Sequence, residues 1–220
     1  MTDTPTNIDD LPPTIPIFPL GSVILLPGSN LPLNIFEPRY LQMVKDSRAN
    51  HNLIGMIQPL DGAAKGPAPA IYGVGCVGKI TDFDETKDGR NIIRLTGICR
   101  FEVQTELNVM TPYRQIQPNW QPFRTDLKYN KITPPLDRSE LMTALQDYLK
   151  MKGLAADYEG INTAPDNILI NTLSMIIPFG IPEKQALLEA SDTTERAETL
   201  KRLLIMMTSA TQPEPGGQPS

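Results

Sequence analysis

The chain has 220 residues, 40% of them hydrophobic and 20% charged, and a formal net charge of −5. That length holds one large domain or two modest subdomains with a real core, and the balance is that of an ordinary folded protein. Neither the ~18 consecutive apolar residues of a membrane-spanning helix nor the concentrated positive field of a nucleic-acid binder is present in the sequence.

Residues 1–13 are polar and marked by proline, and are expected to form a disordered tail. MTDTPTNIDD has acidic residues where a secretory leader is basic, and no apolar segment follows, so a cytoplasmic location is expected. Residues 15–40, IPIFPLGSVILLPGSNLPLNIFEPRY, carry Pro16, Pro19, Pro27, Pro32 and Pro38 between short apolar runs. Proline cannot donate to a ladder, so these runs read as short or edge strands broken by turns. Leu25, Leu26 and Leu31 in this block are candidates for an exposed apolar patch that touches a peptide. Pro38 opens a short helix over residues 39–48, with Tyr40, Met43 and Val44 at helical spacing. Glu37 and Arg39 flank that proline and read first as charges holding a corner, second as a recognition pair. His51, the only histidine, follows the helix, where it complements the helix end. It has no G-x-S-x-G context, and without a Cys-x-x-Cys pair it makes no zinc site.

Residues 52–58 read as a strand and the segment DGAAKGPAPA as a loop. Residues 72–83 and 91–103 alternate with period two, and Asp88-Gly89 between them predicts an antiparallel hairpin. Gly73, Gly75 and Gly78 satisfy G-x-G-x-x-G, and Lys79 brings the stretch near a P-loop. Ile80 stands where a magnesium-binding hydroxyl is needed, and no helix follows to face a phosphate, so the glycines read as sites of close backbone packing. Alternation places Cys99 on the apolar face with Ile93, Leu95, Phe101 and Val103, and two cysteines build no disulfide scaffold in a chain this long. Residues 109–123 are extended and broken by prolines. Tyr113, Trp120 and Phe123 in this run read first as core, and second as a site where an extended peptide adds as a strand to an open edge.

Beyond Pro134-Pro135 the period becomes helical. Asp137 and Glu140 have capping-box spacing, and Leu141, Leu145, Tyr148 and Leu149 form a stripe ending at Gly153. Pro165-Asp166 precedes Leu169, Leu173, Ile176 and Ile177. Pro182 starts a further helix, and Asp192 and Glu195 repeat the capping-box spacing before Ala197, Leu200, Leu204 and Met207. Residues 209–220 are a Pro/Gly/Ser tail expected to be disordered.

The step Phe36-Glu37-Pro38-Arg39-Tyr40 resembles the start of the LON domain, the substrate-recognition domain of ATP-dependent Lon proteases. YGVGCVGKITDFDETKDGRNIIRLTGICRFEV is similar to that family's long hairpin, and IPEKQALLEASDTTERAETLKRLL to its closing helices. The resemblance covers residues 14–208. It implies an α+β fold, with a β-rich, PUA-like pseudo-barrel over 14–132 followed by a small helical bundle over 133–208.

A full Lon protease continues into an ATPase module with a complete P-loop and a serine–lysine protease domain, whereas this chain ends shortly after its closing helix. The expectation is a stand-alone LON domain that binds protein or peptide segments without catalysis, cofactor or metal. Its expected partners are unfolded or flexible polypeptides and a separate protease or ATPase, with no membrane partner and nucleic acid disfavoured. Two rival classes stay open. One is an RNA-binding module, by analogy with PUA-like folds. The other is an enzyme of unrecognised chemistry centred on His51.

Overall fold

The computed structural model describes residues 5–60, 69–128, 137–155 and 158–209. The Pro134-Pro135 seam, most of the DGAAKGPAPA loop and the tail from residue 210 lie outside the described residues. The chain divides into two compact units, Met1–Ile132 with Met175–Glu189, and Thr133–Ser174 with Ala190–Ser220.

In the first unit the strands are β1 (Ile15–Pro19), β2 (Asn30–Ile35), β3 (Leu53–Pro59), β4 (Ile71–Glu85), β5 (Asn91–Leu107) and β6 (Gln115–Asn119). Gly89, at φ 81°, turns the β4–β5 hairpin as the Asp88-Gly89 pair predicts. The sheet order is β2-β5-β4-β3-β1-β6, and β6 also pairs with β5, which closes five of the strands into a barrel. Closure depends on the length of β5. Its first half pairs with β2 (Leu33↔Ile93) and its second half with β6 (Glu106↔Ile116). β1 runs parallel to β3 and antiparallel to β6. β3 is buried along its whole length, which explains why LIGMIQP is a continuous run and not an alternating one.

The barrel core gathers Ile15, Ile17, Leu53, Ile57, Val77, Cys99, Phe101, Ile116 and Trp120. Two glycines let it close. A Cβ on Gly75 would sit 2.5 Å from both the Met56 carbonyl oxygen and Phe101 Cζ, and one on Gly97 would collide with the Leu26 carbonyl. Of the glycine motif of β4, Gly75 and Gly78 are thus close-packing positions, with Phe101 opposite Gly75 across the hairpin, whereas a Cβ on Gly73 would meet nothing within 4 Å.

Helix α1 (Pro38–Ala49) has proline at its start and buries Tyr40, Met43, Val44 and Ser47. The segment before β1 is more ordered than its composition suggests. A 3₁₀ turn spans Ile8–Asp10, Leu11 is buried, and Pro12 offers its carbonyl to the Trp120 indole N–H at 3.3 Å. One apolar side chain and one acceptor for a buried donor suffice to tether it.

Numbering the helices in chain order, α2 is Ser139–Lys152, α3 Tyr158–Thr163, α4 Asp166–Ile176, α5 Ile181–Glu189 and α6 Thr193–Ser209. By period α5 belongs with the other helices after residue 133, but its contacts place it in the barrel unit. Gln185 donates to the Val74 carbonyl at 3.1 Å, and Gln58 of β3 donates to Gln185 and to the Ile181 carbonyl, each at 3.1 Å. A buried polar network of this kind fixes α5 on the sheet.

The second unit packs α2 against α6. Asp137 accepts the Ser139 N–H at 3.0 Å, and Gly153, at φ 65°, ends α2. Lys201 of α6 pairs with Glu140 of α2 at 2.7 Å, and Arg196 donates to Asn171 of α4 at 3.1 Å. The second expected capping box forms with a shift. Asp192 accepts the Glu195 N–H at 2.9 Å, while the Glu195 carboxylate reaches back to Ser191 N–H at 2.7 Å.

A proline-rimmed groove as candidate functional site

Pro19, Leu20 and Gly21 after β1, Arg39 and Tyr40 at the start of α1, Pro59 at the end of β3, and Pro69, Pro112, Tyr113 and Arg114 line one groove of about 230 Å³. The elements converge there for a plain reason. Pro19 closes β1 and Pro59 closes β3, where neither can donate to a ladder, and Pro69 and Pro112 sit in the connections that lead into β4 and β6.

The Phe36–Tyr40 corner shapes one wall. Arg39 donates to Glu37 at 3.0 Å through Nε, and its guanidinium lies 4.5 Å from the Tyr40 ring centre. Phe18 also packs on Tyr40, with ring centres 4.3 Å apart and the rings tilted. Burial raises the Tyr40 phenol above its ordinary range, against the lowering pull of Arg39. Arg114 closes the opposite wall. It is clamped by two 2.6 Å bonds to Glu106 and one 2.7 Å bond to the Pro69 carbonyl. The Glu37–Arg39 pair thus spans the corner, and its Arg39 member lines the groove.

The candidates from the sequence fall in different places. Tyr113 lines the groove, and its hydroxyl donates to Asp46 at 2.8 Å. Leu25 and Leu26 are fully buried, because Gly78 and Gly97 let the opening loop sink onto the hairpin. They serve the core and present no surface. Leu31 is half-buried on β2. Trp120 is buried edge-on to Phe101 at 5.9 Å. Phe123 is half-buried beneath the Arg100 guanidinium, 4.5 Å from it. The open edge expected in residues 109–123 is closed at Gln115 and Ile116, where β6 is paired on both sides, while Gln117, Pro118 and Asn119 pair with β5 alone. β2, with β5 as its one neighbour in the sheet, is also an edge, and it is followed by Phe36 at 64% exposure.

Leu20, Pro59 and Pro69 had no signal of their own in the sequence. Prolines at strand ends read as punctuation, and only the barrel closure brings them to one rim.

His51 and Ser47 line a second cleft, which shares Tyr113 with the groove, yet Ser47 Oγ has no hydrogen-bond partner among the described residues. No nucleophile–base pair is formed there. No three His, Cys, Asp or Glu side chains among the described residues gather where they could hold a metal ion. No described helix is long and apolar enough to cross a membrane.

The fold, a mixed sheet with six α-helices among the described residues, is that of Lon protease N-terminal domains. The Lon N-terminal domain protein from Xanthomonas campestris superposes with a TM-score of 0.56 at 26% identity, over 91% of this chain and 99% of that one. The N-terminal domain of the Mycobacterium avium complex Lon protease gives 0.59 at 16% identity, over 90% and 100%, a likeness of fold alone. The model of the ATP-dependent protease La (LON) substrate-binding domain matches residues 14–207, and the chain belongs to that family. Lon proteases from Parabacteroides distasonis and Cytophaga hutchinsonii are each 28% identical, over 92% and 89% of this chain. The chain spans only about a quarter of the length of these relatives, 25% and 24% respectively.

Proposed function

We propose that the domain binds unfolded or flexible polypeptide segments, and that the groove lined by Leu20, Tyr40, Tyr113 and the four prolines is where it holds them. The observation that carries this reading is the rim itself. Proline and tyrosine rings offer apolar contact on a fixed backbone, so little ordering entropy is lost when a flexible chain settles on them. The two arginines, held in place by their carboxylate partners, leave the walls polar enough to stay hydrated when empty.

Membership of a substrate-binding family supports a protein ligand, and the domain's own part is binding. The segments it holds are passed to a protease or ATPase, a role that rests on the names of the relatives.

The test is a titration of a fluorescently labelled, carboxymethylated unfolded polypeptide. Binding is expected to saturate, to be indifferent to ATP and to EDTA, and to weaken about tenfold in Leu20→Asp, the loss typical of a central interface contact. Unchanged affinity in that variant overturns the groove. Saturable binding of single-stranded RNA that falls steeply with salt would instead favour the RNA-binding alternative.

A further inference from the structure

Behind Tyr113 lies a second cleft of about 260 Å³, lined among others by Asp46, Ser47, Asn50, His51, Tyr113 and Gln115. We infer that this cleft takes a primary ammonium group of a bound polypeptide, either its free amino terminus or a lysine side chain. The inference rests on the polypeptide-binding reading above, because Tyr113 is a wall of both the groove and the cleft.

The cleft is rich in acceptors. Asp46 is half-buried, and among the described residues its carboxylate takes neutral donors only, the Tyr113 hydroxyl at 2.8 Å and Gln42 Nε2 at 2.7 Å. The other half-buried or buried carboxylates of the barrel unit with a bonded arginine, such as Asp126 and Glu37, are already neutralised. Ser47 is 6% exposed, and its hydroxyl oxygen has no hydrogen-bond partner among the described residues. Leaving such a group unsatisfied costs free energy that a donor from a ligand recovers.

The two amides point the same way. Asn50 spends its Nδ2 on the Asp46 carbonyl at 2.8 Å, and Gln115 spends its Nε2 on Thr111 at 3.2 Å. Each therefore keeps its side-chain carbonyl oxygen to accept. The cleft also sits at the C-terminal end of α1, the negative end of the helix dipole.

Among the described residues no lysine or arginine lines it. Arg48, the basic residue of the last turn of α1, lies 3.6 Å over the Phe83 ring, and Arg114 is clamped to Glu106. His51 is the one side chain there that can carry positive charge. An ammonium group offers three donors and one compact charge, which matches a carboxylate, a hydroxyl and two amide oxygens. A metal ion fits less well, since a single carboxylate and a single histidine are too few ligands.

His51 makes the test direct, because the chain has one histidine and its ring protons give one unambiguous set of signals. n-Butylammonium chloride is added to the full chain against sodium chloride at matched ionic strength. A saturable shift of the His51 signals is expected in the wild type, and its loss in Asp46→Asn and in Asn50→Lys, which places the chain's own ammonium in the cleft. Asn50 is exposed, so that second variant leaves the core alone.

Three short peptides of one Gly/Ser/Leu sequence then identify the source. One has a free amino terminus and no lysine, one is acetylated with a single lysine, and one is acetylated without lysine. At least one amine-bearing peptide is expected to bind about tenfold tighter than the blocked peptide, the scale of a charge-assisted hydrogen bond, and to lose that margin in Asp46→Asn. No margin, or a margin that survives Asp46→Asn, overturns the inference. Absence of binding by the blocked peptide counts against the groove alone, because the His51 shift with n-butylammonium does not depend on it.

Discussion

Arg100 and Asp126 form a bidentate ion pair inside the barrel unit, Nε to Oδ2 at 2.8 Å and Nη2 to Oδ1 at 2.9 Å, with side chains only 3% and 8% exposed. Arg100 also donates to the Leu188 carbonyl of α5 at 3.1 Å, and its own N–H bonds Asp126 at 3.0 Å. One guanidinium thus ties β5, the 3₁₀ segment Gln121–Lys128 and α5 together. Removing either partner leaves a buried charge without its counter-ion. Arg100→Ala and Asp126→Ala are each expected to lose about 3–5 kcal/mol of stability in a denaturant titration. Loss below 1 kcal/mol in either would show that the pair is solvated.

Gly97 and Gly73 stand on the same hairpin in opposite circumstances. A Cβ on Gly97 meets the Leu26 backbone, which cannot yield as a side chain does, whereas one on Gly73 meets nothing within 4 Å. Gly97→Ala is expected to cost about 1–3 kcal/mol or more, and Gly73→Ala to stay within about 0.5 kcal/mol of wild type. Equal effects would contradict the close approach of the opening loop.

Burial pulls the Lys184 ammonium down to about 8 from an ordinary 10.5. Its Nζ donates to the Met175 carbonyl at 2.6 Å. Below about 8 both folded and unfolded chains carry the charge, and the fold bears the full desolvation penalty. Between about 8 and 10.5 the unfolded chain holds a proton that the folded chain has released, so stability rises with pH. Relative to Lys184→Met, the wild type should therefore gain on the order of 1–3 kcal/mol across that window. A stability difference that stays flat with pH would place the lysine in water.

Tyr113 links the groove to the cleft behind it through its bond to Asp46. Burial first, and then that bond, push its phenol up to about 12, so it stays protonated and donating near neutral pH. Tyr113→Phe is expected to cost about 1 kcal/mol. In a double-mutant cycle with Asp46→Ala the second change should add little. Full additivity would mean that the two groups do not interact.

The local elements of this fold were legible because they are set by neighbours in the chain. Pro38 starts α1, Asp88-Gly89 turns the long hairpin, and Gly153 ends α2. What escaped was whatever depends on which elements meet. The parallel pairing of β1 with β3 and the closure of β5 on β6 join residues far apart, and period alone names no partner. Leu25 and Leu26 sit among prolines like an exposed loop, yet they are core because two distant glycines lack a Cβ. α5 has a bundle-like pattern, but Gln58 and Gln185 commit it to the sheet. Of the site, Tyr113 was readable as an aromatic in a proline-rich run. Asp46 was not, since an acidic residue on a helix reads as solvent-facing until Tyr113 folds over it.

The groove at Leu20 and Tyr113 is proposed to receive polypeptide. A photo-crosslinking amino acid placed at Leu20, with a second version at exposed Asp84 on the hairpin as comparison, tests it most directly against a carboxymethylated unfolded polypeptide. Crosslinks from position 20 that unlabelled polypeptide competes away are expected, and few from position 84. Equal crosslinking from both positions, or none from position 20, would contradict it.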